Sequence, residues 1–227
     1  MLTPPDKNHI SFLPGDLSAA NKKNQRQFRF FAPFYDPVMR YLIRPRVHKA
    51  DPARHQGIWQ EMIGNLRKAE ILDLACGTGG LIACINQDNN YTGLDLSYEM
   101  LKKAAKRAGK KGFSGYRLIC GNAESQIFPA GSFDAVVSDT ALHMIPDWQG
   151  AVRAAAHSLA PQGTLSGAVP IVGIDKDFDR IWQKYADRPQ FHALTEDDLA
   201  QSCRINHLDF TRFATNGGLI YFQAVKS

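Results

Sequence analysis

Residues 71–80 read Ile71-Leu72-Asp73-Leu74-Ala75-Cys76-Gly77-Thr78-Gly79-Gly80. An apolar run tipped by a carboxylate passes straight into a glycine-rich bend, and Leu81 to Gln87 follow as a helical segment. The pattern predicts a buried strand, a tight turn and then a helix. Glycines in such a turn allow positive φ and keep Cβ atoms out of a ligand's path. The helix start behind the turn offers free N–H groups and a partial positive charge. Open α/β sheets bind ligands in the crevice outside the carboxyl ends of their strands.

A second short strand, Tyr91-Thr92-Gly93-Leu94-Asp95, also ends in an acid. An acid one strand-turn-helix unit after the glycines accepts both hydroxyls of a ribose. The dinucleotide fingerprint requires a small sixth residue, and counted from Gly77 that position is Ile82. Asp73 would moreover repel a pyrophosphate. A ribose-bearing ligand with a cationic head in place of phosphates fits these residues better.

These two segments, with Leu96-Ser97 and Met100-Leu101, resemble the first motifs of class I S-adenosylmethionine-dependent methyltransferases. The resemblance continues through Gly121-Asn122-Ala123-Glu124, Phe133-Asp134-Ala135-Val136-Val137-Ser138, Ala141-Leu142-His143-Met144-Ile145-Pro146-Asp147 and Leu159-Ala160-Pro161-Gln162-Gly163-Thr164-Leu165. It covers about residues 70 to 170 in the family's order. It implies an α/β fold with a doubly wound, mostly parallel seven-stranded sheet, a C-terminal antiparallel hairpin strand and an N-terminal helical arm. It also implies S-adenosyl-L-methionine as cofactor and S-adenosyl-L-homocysteine as product.

The implied cofactor residues follow position by position. Asp73, Ala75, Cys76, Gly77, Thr78 and Gly79 match the loop that cradles the methionine part, and Asp95 matches the ribose acid. Leu96 and Met100 would flank the adenine, although Met100 reads equally well as core. Asn122 and Ala123 would meet the adenine edge; Asn122 stands where the family commonly has Asp, so it accepts without a charge. Ser138, at the end of the fourth strand, belongs to the same set. Tyr35, in Phe34-Tyr35-Asp36, resembles an aromatic-acid pair of ubiquinone and menaquinone biosynthesis C-methyltransferases, where it helps close the cofactor site; packing is the alternative. His143 is the best-placed cofactor neighbour with an ordinary pKa near working pH, hence the candidate general base, or else a hydrogen-bonded structural residue.

The chain has 227 residues, 44% of them hydrophobic and 22% charged, as in ordinary globular domains. No run of about 18 apolar residues predicts a membrane span, and Met1 to Asp6 show no signal-peptide pattern. The four cysteines, 76, 84, 120 and 203, have no metal or C-x-x-C spacing, which predicts reduced thiols, no metal site and a cytoplasmic location. The net charge of +5 is uneven: residues 1–60 hold ten Lys/Arg against four Asp, and the remainder is near neutral. This asymmetry points to an acidic partner or surface.

Two parts are expected: a basic, aromatic arm over residues 1–60, packed on a transferase domain over 61–227. Residues 1–25 lack a period and predict a loose lead-in. Pro33 and Pro37 break the aromatic stretch that follows, with a short helix from Val38 to Ile43 stopping before Pro45. Asp51-Pro52 starts a helix running to about Leu66. Strands are expected at 70–75, 91–95, 116–120, 134–139 and 163–169, with helices at 79–88, 97–108 and 148–159. Phe178, Ile181, Trp182 and Tyr185 form a helical face in an insertion at about 171–194, ended by Arg188-Pro189. Thr195 caps a further helix. Strands 209–214 and 219–226 flank Asn216-Gly217-Gly218 as a hairpin.

The expected function is methyl transfer to a small, apolar or aromatic acceptor, quinone- or phenol-like, by a monomer or homodimer whose arm touches a membrane surface. No Asn/Asp-Pro-Pro-aromatic motif follows the fourth strand, which argues against base methylation and a nucleic-acid partner. A nucleic-acid methyltransferase and a non-catalytic cofactor-binding protein remain the alternatives. Phosphate-loop, zinc-helix and nucleophile-elbow motifs are missing from the sequence.

Overall fold

The computed structural model describes residues 2–113, 115–186 and 191–227. Its strands are β1 (Ile10–Phe12), β2 (Glu70–Leu74), β3 (Asn90–Asp95), β4 (Tyr116–Cys120), β5 (Phe133–Asp139), β6 (Leu159–Pro170), β7 (Leu208–Asn216) and β8 (Leu219–Lys226). They form one sheet in the order β1-β4-β3-β2-β5-β6-β8-β7. The first six run parallel, and β8 lies antiparallel between β6 and β7. The chain leaves β2 toward β3 and β4, then crosses back to β5 and β6 on the other side. The carboxyl ends of β2 and β5 therefore border the crevice where the winding reverses, the place where such sheets bind ligands.

Alternation along the strands builds a core on each face. In β2, Leu72 and Leu74 face one core and Ile71 the other; in β5, Phe133 and Val136 face the first, Ala135 and Val137 the second. Helix α4 (Tyr98–Lys111) buries Met100, Leu101, Ala104 and Ala108, the 3.6-residue spacing of one face. Ser97 caps it, and it runs on past the expected stop at Gly109 to Gly112, whose φ of 76° closes the helix.

Several expectations are corrected. The sheet has eight strands, not seven: β1 adds to the β4 edge, with Ile10 opposite Leu118. Asp6 secures it by accepting the amides of Asn8 and Ile10. Three residues with a single buried apolar side chain leave no readable period.

The loose lead-in likewise contains a helix, α1 (Ala19–Phe31), capped by Ser18. Its inward face carries amides beside the Phe28 and Phe31 rings. Asn21 donates to Glu124, Asn24 to the Met144 carbonyl and Gln25 to the Leu96 carbonyl. After the glycine bend, only a single 3-10 turn (Gly80–Ala83) forms where a helix over 79–88 was expected. Asn86 and Asn89 bind nearby backbone groups there, competing with helical bonds.

Prolines divide the rest of the arm as expected, into a 3-10 turn (Ala32–Phe34) and the short helix α2 (Tyr35–Val38). The following stretch, however, continues through Pro45 to Val47 in π-helical form, closed by His48 N–H donating to Ile43. Helices α3 (Pro52–Ile63), α5 (Trp148–Ser158), α6 (Lys176–Ala186) and α7 (Glu196–Ile205) complete the chain. The helix end expected at Arg188-Pro189 lies outside the described residues. Among the described residues no helix is long and apolar enough to cross a membrane.

Candidate functional site

The loop after β2 takes left-handed backbone at Ala75 (φ 56°), Gly77 (φ 54°) and Gly79 (φ 74°). Its two glycines serve different ends. A Cβ at Gly79 would lie 2.6 Å from Ile82 Cδ1, so that position is required by packing; at Gly77 it would meet nothing within 4 Å. Gly77 therefore leaves its backbone open to the crevice. The Gly77 N–H donates to Asp95 Oδ2 at 2.8 Å, and the Ser97 N–H donates to Asp95 Oδ1 at 2.8 Å. Each carboxylate oxygen keeps a lone pair for a further donor. Burial raises the Asp95 pKa to about 6, and the two amides limit the rise.

Three adjoining cavities surround these groups. The first, of about 690 Å³, is walled by Ala75, Gly77, Asp95, Leu96, Met100, Asn122 and Ala123 on the sheet side. Asn21, Asn24, Phe28 and Tyr35 cover it from the arm, and Asp139 to Ala141 close one end. Eight of the residues singled out in the sequence thus meet in one cleft. Asn122 is also engaged locally: its amide donates to Glu124 Oε2 and its oxygen accepts the Glu124 N–H.

The second, of about 460 Å³, is a recess containing Asp73, Cys76 and Thr78, and it shares Tyr35, Ala75 and Asp139 with the first. Asp73 accepts the Tyr91 hydroxyl at 2.8 Å. Burial raises the Asp73 pKa to about 7, and that hydroxyl offsets part of the rise. Arg44, reaching in from the arm, binds Asp139 Oδ2 at 2.6 Å, and His55 Nε2 lies 3.2 Å from the same oxygen. Burial pushes the Asp139 carboxyl up, but His55 and Arg44 outweigh it and hold it well below the usual carboxylate range. Among the described residues, Asp139 Oδ1 and Arg44 Nε are buried without partners.

The third, of about 740 Å³, is an aromatic chamber that shares Phe28, Tyr35, Thr140 and Met144 with the first cleft. His143 lies here, 3% exposed, and not in the first cleft. Burial, then the nearby His48 and His192, lower its pKa well below the usual value, which speaks against a base poised near working pH. A neutral imidazole this hard to protonate is a weak base.

Two further residues stand apart from all three spaces. Gly79 borders an outer groove. Ser138 is fully buried, and its hydroxyl donates to the Leu74 carbonyl at 3.0 Å, turned into the sheet.

The arm is pinned over the loop by a polar cluster. The Thr78 hydroxyl donates to Asp36 at 2.6 Å, and Arg107 binds Asp36 at 2.8 Å and the Thr78 carbonyl at 2.9 Å. Sequence reasoning missed Asn21, Asn24, Arg44, Asp139 and Thr140. Only the carboxyl-end position of Asp139 on its strand carried a readable signal.

Residues 71–163 match a family profile described as a methyltransferase domain. That stretch of the chain is similar to a methyltransferase domain. Over 135 residues the chain is 39% identical to a trans-aconitate 2-methyltransferase of Streptomyces avermitilis, covering 58% of the chain and 49% of that protein. It is 28% identical to a demethylmenaquinone methyltransferase of Listeria welshimeri, covering 64% and 61%. The chain thus spans about half to three-fifths of these curated relatives.

Among solved structures, the [4+2]-cyclase SpnF superposes with a TM-score of 0.72 at 17% identity, over 93% of this chain and 97% of that one. A geranyl diphosphate C-methyltransferase of Streptomyces coelicolor A3(2), solved with S-adenosyl-L-homocysteine, superposes with a TM-score of 0.70 at 12% identity, over 94% and 100%. These likenesses show the fold alone, and a cyclase among them shows that this fold does not fix the reaction.

Proposed function

We propose that the chain transfers a methyl group from S-adenosylmethionine to a small, apolar or aromatic acceptor. The carrying observation is the junction itself: a polar cleft built on Gly77 and Asp95 adjoins an aromatic chamber through Phe28, Tyr35, Thr140 and Met144. The residues fit the cofactor. Gly77 leaves space for a ligand, and Asp95 keeps lone pairs for two hydroxyls. Asn21 Oδ1 is a buried acceptor without a partner in the cleft wall. Leu96 and Met100 offer apolar faces to a base. In the recess, the unpaired Asp139 Oδ1 and Arg44 Nε suit the two ends of a zwitterionic amino acid.

When bound, the cofactor supplies a methyl group on a positively charged sulfur. The carboxylate of Asp95, and that of Asp73 when ionised, favour a cation in that space. Phe28 and Tyr35 exclude water, and the chamber walls align the acceptor, which is the chief contribution of a protein when the electrophile is already activated. In this reading residues 1–60 act as the cover and 61–227 as the transferase body, with the insertion at 171–194 supplying Trp182 and Phe191 to the chamber wall.

The test is calorimetric titration with S-adenosylmethionine, then transfer of labelled methyl across a panel of phenols, quinols and carboxylates. Binding followed by transfer to a phenol or quinol supports the reading. Binding without any transfer favours a non-catalytic protein, and no binding removes the reading altogether.

The outer face of the arm bears on where this happens. Phe30, Phe34, Tyr41 and Leu42 are 78%, 63%, 67% and 45% exposed. Lys22, Lys23, Arg26, Arg29 and Arg40 stand exposed among them. Cations interleaved with exposed aromatics suit an anionic bilayer. We expect co-sedimentation with phosphatidylglycerol vesicles at low salt, weaker after Phe30→Ser with Phe34→Ser, and none with phosphatidylcholine alone. Equal recovery with and without vesicles removes this part.

A further inference from the structure

The aromatic chamber holds more unspent polarity than packing explains. Thr140 Oγ1, His48 Nδ1, His143 Nδ1 and Trp182 Nε1 are all buried without a partner among the described residues. Their residues are 6%, 3%, 3% and 2% exposed. Buried polar atoms are costly to leave unpaired, so four around one space call for an occupant. The three rings are mutual neighbours: the His48 and His143 centroids are 6.4 Å apart, His143 and Trp182 5.5 Å, His48 and Trp182 6.3 Å.

Thr140 lies where the chamber meets the cleft and has a φ of 51°. A β-branched residue in left-handed backbone is a strained exception, and such strain gathers at functional sites.

The charge of the chamber narrows what it accepts. No Asp, Glu, Lys or Arg appears among its described lining residues. Burial keeps both histidines neutral; for His48 it lowers the pKa to about 3, with Arg44's charge adding to the effect. The Arg44 guanidinium is itself paired with Asp139. A neutral imidazole offers one donor and one acceptor, and a buried anion without a countercharge is strongly disfavoured. Flat walls at Trp182, Phe31 and Phe28 suit a planar ring.

We propose that Thr140, His48 and His143 are acceptor-positioning residues that hold one uncharged hydroxyl or carbonyl oxygen of a flat apolar ring. The proposal rests on the methyltransferase reading and narrows its acceptor, excluding a polycarboxylate such as the aconitate of the Streptomyces relative.

The experiment measures binding of 1-naphthol, naphthalene and 1-naphthoate to the full chain saturated with S-adenosyl-L-homocysteine, followed by tryptophan fluorescence. The probes share a ring and differ only in the polar group. We expect the naphthol to bind at least tenfold tighter than either of the others. Its advantage over naphthalene should shrink to less than threefold in Thr140→Val, which keeps β-branching and removes the hydroxyl. The same loss is expected separately in His48→Phe, which keeps the ring and removes the nitrogens, so the test survives if one variant fails to fold.

A merely structural role would weaken all three probes together and leave the ratio unchanged; that result overturns the proposal, as does tightest binding of the naphthoate. If wild-type protein binds S-adenosyl-L-homocysteine yet shows either result, only the acceptor assignment falls. If it does not bind S-adenosyl-L-homocysteine, the methyltransferase reading falls with it.

Discussion

Replacing Asp95 with alanine is expected to weaken S-adenosylmethionine binding about a hundredfold, or about 2.8 kcal/mol. Two losses combine. The carboxylate no longer accepts the ribose hydroxyls, and hydrogen bonds to charged groups each contribute about 1.5–3 kcal/mol. The Gly77 N–H also loses its partner at 2.8 Å, so the glycine loop is no longer tied to the end of β3. Calorimetric titration at pH 7.5 checks this; an affinity within threefold of wild type would remove Asp95 from the site.

The wild-type protein should also show the titration of this group. With a pKa raised to about 6, the carboxylate is ionised at pH 7.5 and takes up a proton as pH falls through 6. Affinity should fall over that range and the fall should vanish in the variant. The stability sign is opposite. Ionising a buried carboxylate of raised pKa destabilises the fold as pH rises from about 4 to 6, because the folded state binds more protons there.

Asp139→Ala is expected to destabilise the fold by about 3 kcal/mol, at the low end for breaking a buried ion pair. The carboxylate holds both Arg44 and His55, on side chains only 15%, 18% and 7% exposed. Alanine leaves the guanidinium buried beside an Nε that already lacks a partner. Urea unfolding at pH 7 measures the change. Because the folded carboxyl titrates well below its unfolded value, its contribution is present above about pH 4 and is lost on further acidification. The difference between wild type and variant should therefore narrow below pH 4. A difference under 0.5 kcal/mol at pH 7, a threshold at about the scatter of surface substitutions, would show that Arg44 and His55 find other partners.

How much of this was legible depends on where apolar side chains fall. The five central parallel strands declared themselves through continuous apolar runs ending in acids or turns, as in Ile71 to Leu74 and Tyr91 to Asp95. The β7–β8 hairpin declared itself through Asn216-Gly217-Gly218 between alternating segments. The arm did not. Helix α1 turns Asn21, Asn24 and Gln25 inward, so hydrophobic periodicity, the main signal of a helix, was missing from a helix that covers the cleft. The Asx-rich stretch after Ala83 reads as helix by its apolar residues, Leu81, Ile82 and Ile85, yet its side-chain amides hold the backbone in turns.

The site followed the same division. The sheet side was readable because glycines and strand-end acids have fixed meanings there. Arg44 and Thr140 were not, because neither an ion pair 95 residues apart in sequence nor a positive φ at threonine leaves a local pattern.

A cover seated by amides has a consequence for turnover. Lifting α1 exposes the inner faces of Phe28 and Phe31, while water replaces the Asn21, Asn24 and Gln25 contacts at small net loss. The part of the restraint that salt can loosen is the half-exposed charged clasp of Asp36 with Arg107. Product escape should therefore quicken as ionic strength rises, and amide exchange in residues 19–31 should run ahead of the sheet well before the molecule as a whole lets go.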